Sequence, residues 1–313
     1  MPKVSVIIPV YGVEEHIERC AISLFAQTLD DIEYIFVDDC TKDNSIGVLS
    51  NTLLHFPERK SQVKIITHST NKGVAQARIT GLQHSNGDYI IHCDSDDWVD
   101  SHMYELMYDM AVDKNCDMVV CDYMNVYHDH FVESSPSYDS DFLRMLLLCR
   151  CTGSLCNKLV KRKIILNNDF LFTKYSFSED YVYSIQYAIY SSNIEYVPLP
   201  LYKYCHRSGS LVSSVDKASL DKRIQENLDN YSIVEYILRE KNLFNQYQHE
   251  LTFLKLKVKN YIRANIKNRG YYCLWIKTFP ELTFDIFKSP FITWRSRFAY
   301  LATLLGLYSI KRH

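Results

Sequence analysis

The chain predicts an α/β fold, a mainly parallel sheet flanked by helices, with a helical region appended at its C-terminal side. Three observations carry this expectation. Short β-rich runs alternate with longer stretches of helical spacing as far as residue 93. Each β-rich run ends in polar or turn-forming residues. Beyond about Val215 the strand signals thin out and helical periodicity takes over, with many aromatic and basic residues. The expected division is therefore 1–214 as one α/β domain and 215–313 as a helical appendage.

The first run, Val4 to Val10, is apolar and β-branched apart from Ser5 and Pro9, as a strand buried in a sheet would be. Glu14 to Gln27 has helical spacing, and Glu33 to Asp38 is the second strand. Asn44 to Phe56 is the second helix, Val63 to His68 the third strand, and Gly73 to His84 a helix opened by its glycine. Tyr89 to Cys93 is the fourth strand. Sheets of this order bind ligands at the carboxyl ends of their strands. Those ends read Pro9-Val10-Tyr11-Gly12, Asp38-Asp39-Cys40-Thr41, the stretch near Asn71-Lys72-Gly73, and Asp94-Ser95-Asp96-Asp97. All four should converge on one rim.

The fourth end sets three carboxylates within four residues, and carboxylates so close want a cation. Hard oxygen ligands suit magnesium or manganese, which complete their shell with water and substrate phosphates, so a nucleoside diphosphate is the natural guest. The same residues are also good turn chemistry, capping backbone groups and favouring a helix start. A calcium loop is excluded, because Val99 stands where that loop requires glycine and Trp98 occupies its fifth position. Neither GxGxxG nor GxxxxGK[ST] is present, so neither a dinucleotide dehydrogenase nor a P-loop enzyme is supported. Tyr11 could stack on a base or be a rim aromatic. Asp39 could accept a hydrogen bond from a pyrimidine ring N–H or cap its loop.

Composition narrows the remaining classes. With 47% apolar residues, 313 residues can build a sizeable core. The balance of 35 basic and 37 acidic side chains gives no overall field for nucleic acid, so anion binding must be local. Ten scattered cysteines without paired zinc spacing read as reduced core residues. The absence of a bilayer-length apolar run and of a signal peptide predicts a cytoplasmic protein. The C-terminal stretch from Trp294 to Tyr308 mixes apolar and basic positions. It fits either a helix packed on protein or one lying peripherally on the inner face of the plasma membrane.

Taken as an ordered series, Val4 to Tyr11, Phe36 to Asp43, Asn71-Lys72-Gly73 with Ala77-Arg78, and Asp94 to Asp97 resemble the motifs of family 2 glycosyltransferases. The resemblance covers roughly residues 3 to 210. It implies a GT-A fold, a nucleoside-diphosphate sugar donor, in the first place a UDP-sugar, a Mn2+ or Mg2+ ion, and inversion at the anomeric carbon. The acceptor it implies is a hydroxyl of a glycan or lipid-linked glycan in surface polysaccharide synthesis. A non-catalytic sugar-nucleotide or glycan-binding module and a sugar-phosphate nucleotidyltransferase are the alternatives.

The resemblance also implies roles. Pro9, Val10 and Tyr11 correspond to the uridine-binding edge and Asp39 to the base-reading carboxylate. Gly73 and Arg78 fall in the segment against the nucleotide and its phosphates, although Arg78 could equally be a sheet-edge salt bridge. In the DxD motif, Asp94 corresponds to the residue facing ribose or water-bridged metal and Asp96 to the direct metal ligand, with Ser95 between them in the donor site. Ser178-Glu179-Asp180 resembles the Glu-Asp pair that opens a late helix, with serine where glycine often precedes it. Asp180 is then the base, and Glu179 binds the acceptor or orients the site. Without the resemblance, the pair reads as first-turn helix acids. Lys158, in Asn157-Lys158-Leu159, would lie near the site floor, or else would be a solvated charge at a helix end. His206, followed by Arg207, stands where relatives often carry an arginine and is a candidate third metal ligand or phosphate donor.

Overall fold

Strand β1 (Val4–Val10) lies between β2 (Ile32–Asp38) and β4 (Tyr89–His92), parallel to both, and β3 (Val63–Thr67) extends this parallel half beyond β2. The computed structural model describes residues 1–136, 138–206, 216–266 and 268–307. Helices α1 (Ile17–Phe25), α2 (Ser45–Leu53) and α3 (Val74–Gln83) fill the intervals, so the βαβα order expected from the sequence is the order found. The alternation of side chains along a strand divides the core between the two faces. Val6, Ile8, Tyr34 and Phe36 join the main cluster with Ile17, Cys20, Ala21 and Leu24, the i, i+3, i+4, i+7 stripe of α1. Ile35 and Val37 face the other way, onto Ala77 of α3. Fully burying an aliphatic chain of this kind contributes about 1.5–3 kcal/mol, so polar substitution within either layer would destabilise it. At Gly81 a Cβ would stand 2.3 Å from Ile7 Cγ2, which shows how closely α3 lies against β1.

Beyond β4 the sheet turns mixed. It continues through the two-residue β5 (Trp98–Val99), α4 (Met103–Asp113), β6 (Met118–Val126), β7 (Phe131–Ser134), α5 (Phe142–Leu147), β8 (Lys158–Lys161), α6 (Arg162–Leu166), α7 (Glu179–Tyr190) and the long β9 (Ile194–Cys205). The strand order is β3-β2-β1-β4-β8-β6-β9-β5, with β7 beside β6. β8 runs antiparallel to β4 and β6, while β9 runs parallel to β6 and antiparallel to β5. At the amino edge of the strands, Ser5 Oγ donates to Glu33 Oε1 at 2.6 Å, and the Asn86 and Gly87 N–H groups donate to Glu33 and Ser5. Against the upward pull of burial, hydrogen bonds from Lys64, Ser5 and Asn86 hold the Glu33 carboxyl below its ordinary value. Of the ten cysteines, Cys20, Cys93, Cys116, Cys121 and Cys156 are buried, and all ten are free thiols.

Two compact units emerge, Met1–Phe142 with Gly153–Ser214, and Leu143–Thr152 with Val215–His313. The second contains α8 (Lys217–Glu240), α9 (Gln248–Arg263), α10 (Arg269–Lys277), α11 (Leu282–Asp285) and α12 (Trp294–Leu304). Asp216 caps α8 through the Ser219 N–H and Thr293 caps α12 through that of Ser296, which explains where these helices start. Their core gathers Leu256, Ile262, Trp275, Leu282, Ile286 and Tyr300. Buried Lys259 donates to Tyr300 Oη at 3.0 Å with its ammonium 4.4 Å from the Trp275 ring centre, and burial pushes its pKa down to about 8. No helix among the described residues is long and apolar enough to cross a membrane.

Candidate active site

The parallel strands deliver their ends to one rim, as the sequence order requires. Val10 is buried and Pro9 half-buried, while Tyr11 turns outward at 47% exposure. The Asp39 N–H donates to Val10 O and the His68 N–H to Asp38 O, so the first three strand ends are stitched side by side. The Asp39 carboxylate accepts from the Lys72 N–H (2.8 Å), the Gly73 N–H (2.7 Å) and His68 Nδ1 (2.7 Å). A carboxylate offers about four lone-pair sites, and buried Asp39 uses three of them to shape the 72–73 turn and hold His68. His68 did not stand out in the sequence. Its signal was its place, one residue past β3, directly beside the end of β2.

Gly73 caps α3 with φ +85° and ψ 162°, a region that L side chains essentially avoid. A Cβ there would also lie 2.6 Å from Ser176 Oγ. Gly73→Ala is expected to cost about 1–3 kcal/mol of stability, read as a lowered thermal midpoint. An unchanged midpoint would show that the turn relaxes freely.

Five residues on from Gly73, α3 carries Arg78 into the centre of the site at 5% exposure. Arg78 Nη2 donates to Asp94 Oδ1 at 2.8 Å and Nε to Glu179 Oε1 at 3.3 Å. Nη1 is buried without a hydrogen-bond partner. Although burial works against the charge, Asp94 and Glu179 hold this guanidinium firmly cationic. The carboxylates at the end of β4 and those opening α7 are thereby joined through one side chain.

Asp94 keeps 31% of its side chain exposed and Asp96 is half-buried, whereas Ser95 between them is buried. Asp97 turns inward, accepting from Tyr202 Oη at 2.5 Å and from the Cys205 N–H at 2.6 Å. Burial, with Asp96 and Asp94 beside it, pushes the Asp97 carboxyl well up despite those donors. Tyr202 Oη also accepts from the Asp94 N–H. Thus β9 fixes the turn that presents Asp94 and Asp96.

Ser178, in the left-handed region at φ +63°, starts α7 with Glu179 and Asp180 in its first turn. Glu179 is 5% exposed, while Asp180 retains partial access to solvent. Burial and the neighbouring Asp180 push Glu179 up to about 8, outweighing Arg78. Burial also raises Asp180, with Arg78 opposing.

The other two expectations are met differently. Lys158 sits not at a helix end but on β8, 1% exposed, with Nζ donating to Ser154 O and Asn157 Oδ1. His206 directs Nε2 to Asn125 Oδ1 at 2.9 Å and stacks on Tyr127 with ring centres 4.2 Å apart. Among the described residues no group of three or more His, Cys, Asp or Glu side chains forms a cation site, so His206 is not assembled with Asp94 and Asp96. Arg207 lies outside the described residues. The donor chemistry of the two aspartates still fits a hard divalent cation whose shell is completed by phosphate and water. Asp94, Glu179 and Asp180 all lie near enough to favour the charged form of Arg78. A cavity of about 530 Å3, bordered by Asp88, Tyr89, Tyr108, Lys161 and Arg162, opens at the opposite, amino edge of the sheet and has no share in this arrangement.

The chain resembles glycosyltransferase EpsH of Bacillus subtilis, 29% identical over 271 residues covering 82% of this chain and 75% of that protein. It also resembles the cholesterol galactosyltransferase of Borreliella burgdorferi, 28% identical over 265 residues, 79% of this chain and 70% of that one. In fold it matches S. aureus TarS 1-349, solved in complex with UDP-GlcNAc, with a TM-score of 0.62 at 19% identity, covering 96% of this chain and 91% of that one. The mannosyltransferase PcManGT from Pyrobaculum calidifontis, solved with GDP-Man and Mn2+, matches with a TM-score of 0.55 at 16% identity over 99% and 88% of the two chains. The profile described as Glycosyl transferase family 2 matches residues 5–165, from β1 through the turn at Asp94–Asp97 into α6, and the chain is therefore a GT-A glycosyltransferase belonging to that family.

Proposed function

We propose that this enzyme is an inverting, metal-dependent transferase that moves a sugar from a nucleoside-diphosphate sugar, UDP-linked in the first instance, to a hydroxyl of a glycan or lipid-linked glycan in surface polysaccharide synthesis. The observation that supports this reading is Arg78 bridging Asp94 and Glu179, since it ties together the two carboxylate groups to which the reading assigns the donor and acceptor sides. The UDP-GlcNAc, UDP and GDP-Man complexes of the solved structures support the donor class, and Mn2+ in one of them supports the cation.

Asp96 and Asp94 would hold a divalent ion, which when bound would supply positive charge to the departing diphosphate. Tyr11 offers its exposed ring to the base, and Asp39 takes the ring N–H while fixing the 72–73 turn. Arg78, locked between two carboxylates, lends its positive charge to the donor side of the site. Asp180 accepts the acceptor hydroxyl's proton as that oxygen bonds to the anomeric carbon, opposite the breaking bond to diphosphate. Glu179 positions Arg78, and Lys158 braces the floor beneath.

Calorimetric titration with UDP, with manganese and then with chelator, tests the donor site. Asp96→Ala should lose the manganese-dependent part of the affinity. Equal affinity in the variant would remove Asp96 from the cation's shell. Because its pKa is raised, Asp180 is charged only above the ordinary aspartate value of 3.8. Turnover should therefore climb with pH along an acid limb displaced upward from that value. A limb at or below it would assign proton removal to another group.

A further inference from the structure

Helix α12 turns its apolar stripe the wrong way for a soluble helix. Tyr300 and Thr303 face inward at 1% and 2% exposure, and Tyr300 belongs to the core of its unit. Trp294, Phe298, Leu301 and Leu305 follow the i, i+4, i+7, i+11 spacing of a single stripe. Three of them stand out in solvent, Trp294 at 71%, Phe298 at 67% and Leu305 at 71%. Phe284 (74% exposed) and Phe287 (46%) extend the patch along the preceding segment, and the Arg297 guanidinium lies 6.0 Å from the Phe287 ring centre. A surface helix ordinarily hides such a stripe.

Charge selects the occupant. From Lys277 to the end, the sequence carries six lysines and arginines against Glu281 and Asp285, a net charge of +4 in a chain whose total is −2. Lys288 and Arg295 are exposed beside the aromatic residues. Tryptophan and phenylalanine interleaved with arginine and lysine form the set that settles at the headgroup level of a bilayer, and the positive segment favours an anionic one. We propose that the outward face of α12 docks on an anionic lipid surface, with Trp294 and Phe298 entering the headgroup boundary and the flanking basic groups meeting lipid phosphate.

The test is flotation of the full chain with vesicles of phosphatidylcholine alone and of equimolar phosphatidylcholine and phosphatidylglycerol. The protein should float with the anionic vesicles only, with Trp emission shifted to the blue. Trp294→Ser/Phe298→Ser should lower the partition about tenfold, as lost apolar burial in an interface requires. Lys288→Glu/Arg295→Glu, which leaves the aromatic residues in place, should weaken binding in the same direction. Wild-type protein that stays in the aqueous fraction, or both double variants floating like wild type, would overturn the proposal. So would light scattering that shows a wild-type dimer dissociated by the Trp294 and Phe298 changes, since the face would then be one for a second copy.

Discussion

Asp180→Asn should lower kcat by about a thousandfold, within the range a positioned general base contributes, while UDP affinity with manganese stays within about twofold of wild type. The asymmetry follows from geometry. Asp180 retains access to solvent at the start of α7, whereas the proposed donor contacts fall on Arg78, Asp94 and the 72–73 turn. The substitution keeps the side-chain oxygen that accepts the Tyr181 N–H at 2.8 Å, so the helix start should persist. Single-turnover transfer and calorimetry on the same preparation separate the two effects. Normal turnover in the variant would overturn the base assignment, and a parallel loss of UDP affinity would move Asp180 to the donor side.

The second large effect concerns Arg78. Arg78→Met removes the cation between Asp94 and Glu179 and leaves a 5%-exposed carboxylate without its counter-charge. Removing one partner of a buried ion pair costs about 3–5 kcal/mol. Here the lower end applies, because Glu179 already leans toward its neutral form and Asp94 keeps contact with water. A lowered thermal midpoint is expected together with weaker UDP binding. Arg78→Met/Glu179→Gln should recover part of the stability, since no charge is then stranded, but none of the donor affinity. Full stability of the single variant would show that the bridge contributes nothing net. Recovery of UDP affinity in the double variant would deny Arg78 a direct part in holding the donor.

Much of this arrangement was written locally in the chain. Val4 to Val10, Glu33 to Asp38 and the turn after Tyr89 announce themselves because a buried strand followed by polar residues is a pattern of neighbours. The Glu179-Asp180 pair likewise opens the helix expected of it. What could not be read locally is pairing across distance. Nothing near Arg78 says that it spans Asp94 and Glu179, and nothing near Asp97 names Tyr202 and Cys205 as its donors. Short strands escape for a related reason. β8 has four residues with a buried lysine in front, and β5 has two, so neither carries enough period to declare itself. His206 was put forward because it stands where relatives often carry an arginine, and nothing next to it in sequence names its partners, Asn125 and Tyr127.

The knot of Ser5, Glu33, Asn86 and Gly87 at the amino edge has a bearing on descent. It holds the register of β1, β2 and β4 from the side where no chemistry occurs, through hydrogen bonds that owe nothing to the carboxylates at the other end. Inheritance can therefore act on the two edges separately. Replacements among the rim loops leave that anchor untouched, so a lineage can alter the rim without first rebuilding its frame.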